Sequence, residues 1–125
     1  MTRIPIVFCF DQNLISQIQV TVASLLDNRK DAHYSVYCVC VGDAYKVEER
    51  LTDVMHRRDA ESTLTIVRAE NAYKDSYQRG SITAGTYLRL TLPETLVDLE
   101  KVIYTDIDVM FCDSLQQMWD IELGD

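Results

Sequence analysis

No apolar run in these 125 residues approaches the ~20 needed to span a bilayer. The first residues, Met1-Thr2-Arg3-Ile4-Pro5-Ile6, lack the charged-then-apolar order of a secretory signal. Basic clusters are missing too: Lys and Arg group only as the pairs Arg29-Lys30 and Arg57-Arg58, in a chain of formal net charge −8. That balance argues against nucleic acid or an anionic membrane as the main partner. There is no Gly-x-Gly-x-x-Gly and no Gly-x-x-x-x-Gly-Lys-Ser/Thr, so neither a dinucleotide fingerprint nor a P-loop is present. The four cysteines, Cys9, Cys38, Cys40 and Cys112, show no Cys-x-x-Cys or Cys/His spacing suited to zinc. All four sit in or beside apolar strand-like runs and read as buried, reduced thiols, with no disulfide framework. A reducing cytoplasm is the expected setting.

What is present reads as one globular domain. The length suits a single core, and 47% hydrophobic with 26% charged residues is the composition of a folded rather than a disordered chain. Residues 4–10 form a continuous apolar run of the kind found in a strand buried on both faces, and it stops at Asp11-Gln12-Asn13. Leu14, Ile15, Ile18, Val22, Leu25 and Leu26 then recur at helical spacing, with Asp11 or Asn13 as the expected N-cap. A second strand is predicted over 34–41. A second helix follows through Val47, Leu51, Val54 and Met55, with Arg57 and Arg58 near its C-terminus, where positive charge is favourable. A third strand covers 64–67. Such alternation implies right-handed βαβ crossovers and a parallel, three-layer α/β sandwich.

The middle of the chain departs from this rhythm. Residues 70–80, with Tyr73 and Tyr77, read as a polar loop near the mouth of the sheet; residues 81–92 hold helix formers and end at Pro93. A fourth strand is predicted over 102–105. It leads into Asp106-Ile107-Asp108-Val109, in which two carboxylates sit two residues apart. With strand periodicity both point to one face while Ile107 and Val109 point to the other. Adjacent carboxylates repel unless a cation shares them, and a hard divalent ion bridging to phosphates meets that need. Asp is also common at strand ends because it tolerates turn conformations. In open α/β sheets ligands sit outside the carboxyl ends of the strands, where the winding reverses. Asp11 and Asp106 therefore meet on one rim if the first and fourth strands are neighbours.

Four ordered blocks now carry a resemblance: Ile6-Val7-Phe8-Cys9-Phe10-Asp11-Gln12-Asn13; Thr86-Tyr87-Leu88-Arg89-Leu90; Lys101-Val102-Ile103-Tyr104-Thr105-Asp106-Ile107-Asp108-Val109; and Asp113-Ser114-Leu115 with Leu123-Gly124-Asp125. Together they resemble glycosyltransferase family 8, the retaining galactosyl- and glucosyltransferases of bacterial lipopolysaccharide synthesis and glycogenin. The resemblance implies a Rossmann-like GT-A fold with a UDP-sugar donor, UDP-galactose or UDP-glucose, and Mn²⁺ or Mg²⁺. It implies that Asp106 and Asp108 hold the metal on the diphosphate, with the Ile107 backbone near the ribose. It further implies that Cys9 and Asp11 line the uracil pocket, that Asn13 lies by the ribose, and that Arg89 approaches the donor. The acceptor implied is a glycan or lipid-linked saccharide, and the full-length protein would work at the periphery of the inner membrane.

Two departures from the family pattern stand out. Leu14 occupies a place where family members often carry an aromatic that stacks on the base. Family members also continue well beyond Gly124-Asp125, into segments that hold the acceptor and a histidine completing the metal shell; His33 and His56 precede the metal motif and cannot take that part. The expectation is a single domain over 1–125, the C-terminal part of the family fold missing, which binds donor but transfers sugar poorly, and whose exposed sheet edge favours self-association. Two other readings stand beside it. Asp106-Ile107-Asp108-Val109 also resembles the opening motif of haloacid-dehalogenase phosphatases, although no Lys follows Asp113. The third is a non-enzymatic nucleotide- or metal-binding module.

Overall fold

The computed structural model describes residues 2–68 and 101–122. The elements run β1 (Thr2–Asp11), a 3₁₀ turn (Gln12–Leu14), α1 (Ile15–Asp27), β2 (Ala32–Val41), α2 (Ala44–Arg58), β3 (Thr63–Arg68), β4 (Ile103–Tyr104) and a short α3 (Gln116–Trp119). Among the described residues the strands form one sheet in the order β3-β2-β1-β4, and their pairings are parallel. Each predicted strand is found, the first three longer than predicted and the fourth shorter.

β1 is buried on both faces, as its unbroken apolar run implies. Ile4, Ile6, Phe8 and Phe10 pack with Tyr34, Val36, Cys38 and Cys40 of β2 against Ile15, Ile18, Val22 and Leu25 of α1 and Val47, Leu51 and Met55 of α2. Each such side chain, fully removed from water, contributes roughly 1.5–3 kcal/mol before conformational entropy is counted. Val7 and Val39 are buried on the opposite face, with Cys9, Tyr37, Val67 and Val102 packed around them. Both β1-α1-β2 and β2-α2-β3 step in the same direction, so right-handed crossovers put α1 and α2 on one face of the sheet. The sheet then reverses, β4 joining the other side of β1. The remaining layer of the expected sandwich, with the 70–80 loop and the 81–92 helix, lies outside the described residues.

Two details correct the sequence reading. α1 is capped by neither Asp11 nor Asn13: the 3₁₀ turn intervenes, and Leu14 is the N-cap, with no side-chain capping bond. Of the cysteines, Cys38 and Cys40 are buried, Cys9 is half-buried and Cys112 is exposed; all are free thiols. Cys112 lies past the sheet, on a returning segment that belongs to no described strand or helix. Burial, reinforced by the nearby Cys40 and Cys9, pushes the Cys38 thiol far above its ordinary range, which suits an inert packing role.

In α2 the basic residues expected near the C-terminus are found there, and the N-terminus has a side-chain cap. Asp43 caps α2 by accepting from the Lys46 N–H (3.1 Å), and His56, Arg57 and Arg58 fill the last turn. Gly42, at φ 105°, makes the left-handed turn that lets β2 enter α2. No described helix is long and apolar enough to cross a membrane.

Candidate functional site

The site forms where the winding of the sheet reverses. β4 lies directly beside β1, with Ile103 opposite Ile6 and Tyr104 opposite Val7. The ladder closes with the Thr105 N–H donating to the Val7 carbonyl (3.3 Å). Asp11 is the last residue of β1, and Asp106 comes just after the end of β4, so both stand on the carboxyl rim at the switch point. The neighbour relation on which the sequence argument depended is present.

The carboxylate pair sits beyond the strand rather than on it. β4 ends at Tyr104, and Ile107 and Asp108 lie in a bend. The alternation predicted from strand spacing nevertheless survives: Asp106 and Asp108 are exposed, whereas Ile107 and Val109 are half-buried. Ile107 packs against the main core. Among the described residues neither carboxylate has a side-chain hydrogen bond or ion-pair partner, and no cluster of three or more His, Cys, Asp or Glu side chains is assembled. Two exposed hard oxygen donors fit Mg²⁺ or Mn²⁺, ions that bind through one or two carboxylates together with phosphate oxygens and water, better than the four-ligand set of a closed zinc site.

Two further sequence candidates lie on β1 and in the turn that follows it. Cys9 is half-buried on β1, on the face that carries Val7 and Val39. Asn13 is exposed in the 3₁₀ turn after β1. Arg89 lies outside the described residues.

Sequence reasoning passed over the residues that hold the carboxylate-bearing turn in place. Thr21 Oγ1 donates to the Ile107 carbonyl (2.5 Å), Ser24 Oγ accepts from the Phe111 N–H (2.9 Å), and Asn28 Nδ2 donates to the Phe111 carbonyl (2.9 Å). The available signal was two small polar residues inside the apolar stripe of α1. After Phe111 the chain returns along the α1 side of the sheet: Leu115 N–H donates to the Tyr34 hydroxyl (3.1 Å), and Gln116 Nε2 to Thr2 Oγ1 (3.0 Å) at the opposite rim.

A parallel sheet flanked by helices defines an α/β domain, and comparison with known proteins makes the class specific. The chain belongs to glycosyl transferase family 8, whose family model matches residues 5–125. A structure of the galactosyltransferase LgtC in complex with donor and acceptor sugar analogues superposes with a TM-score of 0.80 at 27% identity, covering 97% of this chain and 44% of that one. The glycosyltransferase GlyE of Streptococcus pneumoniae TIGR4 shares the fold, with a TM-score of 0.75 at 19% identity over 99% of this chain and 28% of its own. General stress protein A of Bacillus subtilis (strain 168) is 23% identical over 122 residues, 95% of this chain and 42% of that protein. The chain thus spans less than half the length of these relatives. The fold is that of the GT-A glycosyltransferases, as the resemblance implied.

Proposed function

We propose that residues 1–125 form a single nucleotide-sugar-binding domain of a glycosyltransferase that takes a UDP-hexose donor with a divalent ion, Mn²⁺ or Mg²⁺. The observation that carries this reading is the pairing of β1 with β4, by which the Asp106/Asp108 turn stands beside the carboxyl end of β1. The structure of the galactosyltransferase LgtC with donor and acceptor sugar analogues supports a sugar donor, for which we propose UDP-galactose or UDP-glucose.

In this reading Asp106 and Asp108 would hold the divalent ion, and the Ile107 backbone would lie near the ribose. Cys9 and Asp11 line the uracil pocket, Asp11 accepting from the base, while Asn13 approaches the ribose and Arg89 the donor. When bound, the divalent ion offsets the charge that develops on the leaving diphosphate oxygen as the sugar–phosphate bond breaks. The protein's own part is to hold the two carboxylates in place and to fix the nucleoside at the end of β1.

Transfer to a glycan or lipid-linked saccharide, with retention at the sugar carbon, is proposed for a protein of the length of these relatives, peripheral to the inner membrane. For these 125 residues alone we propose donor binding with little transfer, since acceptor positioning supplies much of the rate in such reactions. Calorimetric titration of UDP with and without Mn²⁺ tests the reading. Heat of binding that depends on Mn²⁺ is expected; identical heat in the two series overturns it. Phosphatase turnover of a generic phosphate ester would point instead to the haloacid-dehalogenase-like alternative.

A further inference from the structure

Helix α1 carries Thr21 and Ser24 on the face that Ile15, Ile18, Val22 and Leu25 turn toward the core. Thr21 is 1% exposed and Ser24 8%, so both are polar groups removed from water. A buried hydroxyl needs a partner. Theirs lie in the segment after β4. Thr21 Oγ1 donates to the Ile107 carbonyl; Ser24 Oγ accepts from the Phe111 N–H and donates to the Thr21 carbonyl (2.8 Å). Asn28, the C-cap of α1, donates to the carbonyls of both Phe111 and Ser24 (2.9 Å each).

The spacing of 21, 24 and 28 puts the three side chains on one stripe of the helix. The stretch they bracket, 107–111, belongs to no strand or helix, so its backbone groups depend on such partners. Ile107 is anchored twice, by its carbonyl on Thr21 and by its side chain in the core. Asp106 and Asp108 are its immediate neighbours. With that peptide held, few backbone dihedrals remain by which either carboxylate can wander.

We propose that Thr21, Ser24 and Asn28 are positioning residues for the metal–diphosphate site: α1 grips the backbone at 107–111 and so presets the Asp106 and Asp108 carboxylates for the ion. This inference rests on the donor-binding reading above. Partners that orient metal ligands from behind matter to affinity because a loosely held ligand must be ordered each time the ion binds.

The test uses the 125-residue chain with Mn²⁺ and UDP. Uptake of the ion is followed by loss of the free aquo-Mn²⁺ electron paramagnetic resonance signal, and thermal melting is recorded in metal-free buffer. Thr21→Val keeps the shape and removes the donor; Thr21→Ser restores the donor; Asn28→Ala unhooks Phe111 from a half-buried position; Val22→Ala weakens the same helix while leaving all three hydrogen-bonding side chains in place. Thr21→Val and Asn28→Ala are expected to lower Mn²⁺ affinity by about 10- to 100-fold, with Thr21→Ser recovering most of it. Val22→Ala should melt earlier yet hold the ion as the parent chain does.

Folded Thr21→Val and Asn28→Ala chains that bind Mn²⁺ like the parent overturn the proposal. So does a Val22→Ala chain that loses as much affinity as Thr21→Val, since stability alone then explains the loss. If Thr21→Val does not fold, Asn28→Ala decides by the same measure. A parent chain that takes up no Mn²⁺ in the presence of UDP overturns the donor-binding reading itself and the positioning role with it, and this is seen before any variant is made.

Discussion

The Asp59 carboxylate lies 2.7 Å from Nδ1 of His33, at the rim of the sheet opposite the Asp106/Asp108 turn. Asp59 is buried, and it also accepts from Ser62 Oγ (2.5 Å) and the Glu61 N–H (3.2 Å), with the Arg29 guanidinium 3.4 Å away. Glu61 faces the other ring nitrogen of His33 (3.0 Å). This polar knot joins the start of β2 to the turn before β3.

Acid should loosen that knot. Burial alone would raise the Asp59 pKa, but the hydrogen bonds from His33, Ser62 and the Glu61 N–H, together with the His33 charge, outweigh it and hold the carboxyl below its ordinary 3.8. A depressed folded pKa contributes stability that is present above the unfolded value and lost as pH falls through the folded one. Urea melts from pH 6 downward are therefore expected to show an extra fall in stability below about pH 4 that the Asp59→Asn chain lacks. At neutral pH the same substitution should cost about 1–3 kcal/mol, because it leaves buried donors poorly matched.

Asp106→Asn and Asp108→Asn should each leave the metal-free melting temperature almost unchanged, since both side chains are exposed and surface changes fall within about ±0.5 kcal/mol. Mn²⁺-dependent UDP affinity should fall at least tenfold in each, about 1.4 kcal/mol. Calorimetry and melting on the same samples check both halves; a matched drop in melting temperature would mean that the carboxylates serve the fold instead.

Lys101 fastens the end of the returning segment. Its Nζ donates to the carbonyls of Trp119 (2.5 Å) and Ile121 (2.7 Å) and lies 4.7 Å from the centroid of the Trp119 ring. Lysine here satisfies carbonyls at the end of α3 and adds a cation–π contact. Lys101→Met is expected to cost about 1–2 kcal/mol and to speed amide exchange at 116–121 ahead of the rest of the chain. Exchange mass spectrometry reads this directly.

Core and cap variants set the scale for the others. Phe8→Ala should cost about 3–5 kcal/mol, because its fully buried ring sits at the centre of the main cluster and α1 and α2 cannot both close over the gap. Asp43→Ala, which removes one accepted N–H at the exposed start of α2, should cost about 1 kcal/mol. Chemical denaturation resolves the difference.

The elements most legible in the amino-acid order are those whose own periodicity decides them. The apolar runs of β1 and β2 and the spacing of Ile15, Ile18, Val22, Leu25 and of Val47, Leu51, Met55 mark strands and helices before any neighbour is known. β4 was harder to bound. It is only Ile103–Tyr104 because it pairs with β1 just there before the chain bends away. The exposure of Cys112 and the 3₁₀ turn that displaces the expected cap depend on where the chain is carried after a turn, and local composition does not encode that path.

By itself the order of residues determined the alternation of strand and helix, the parallel sheet, and the candidacy of two acidic side chains separated by Ile107, since those follow from apolar spacing and from the period of an extended backbone. Tertiary structure alone decided that β4 lies beside β1, that Thr21, Ser24 and Asn28 reach across to the turn bearing those acids, and that His33 meets Asp59. Such contacts join residues far apart in the chain. They arise when burial of the shared core brings polar groups out of water and obliges them to find partners.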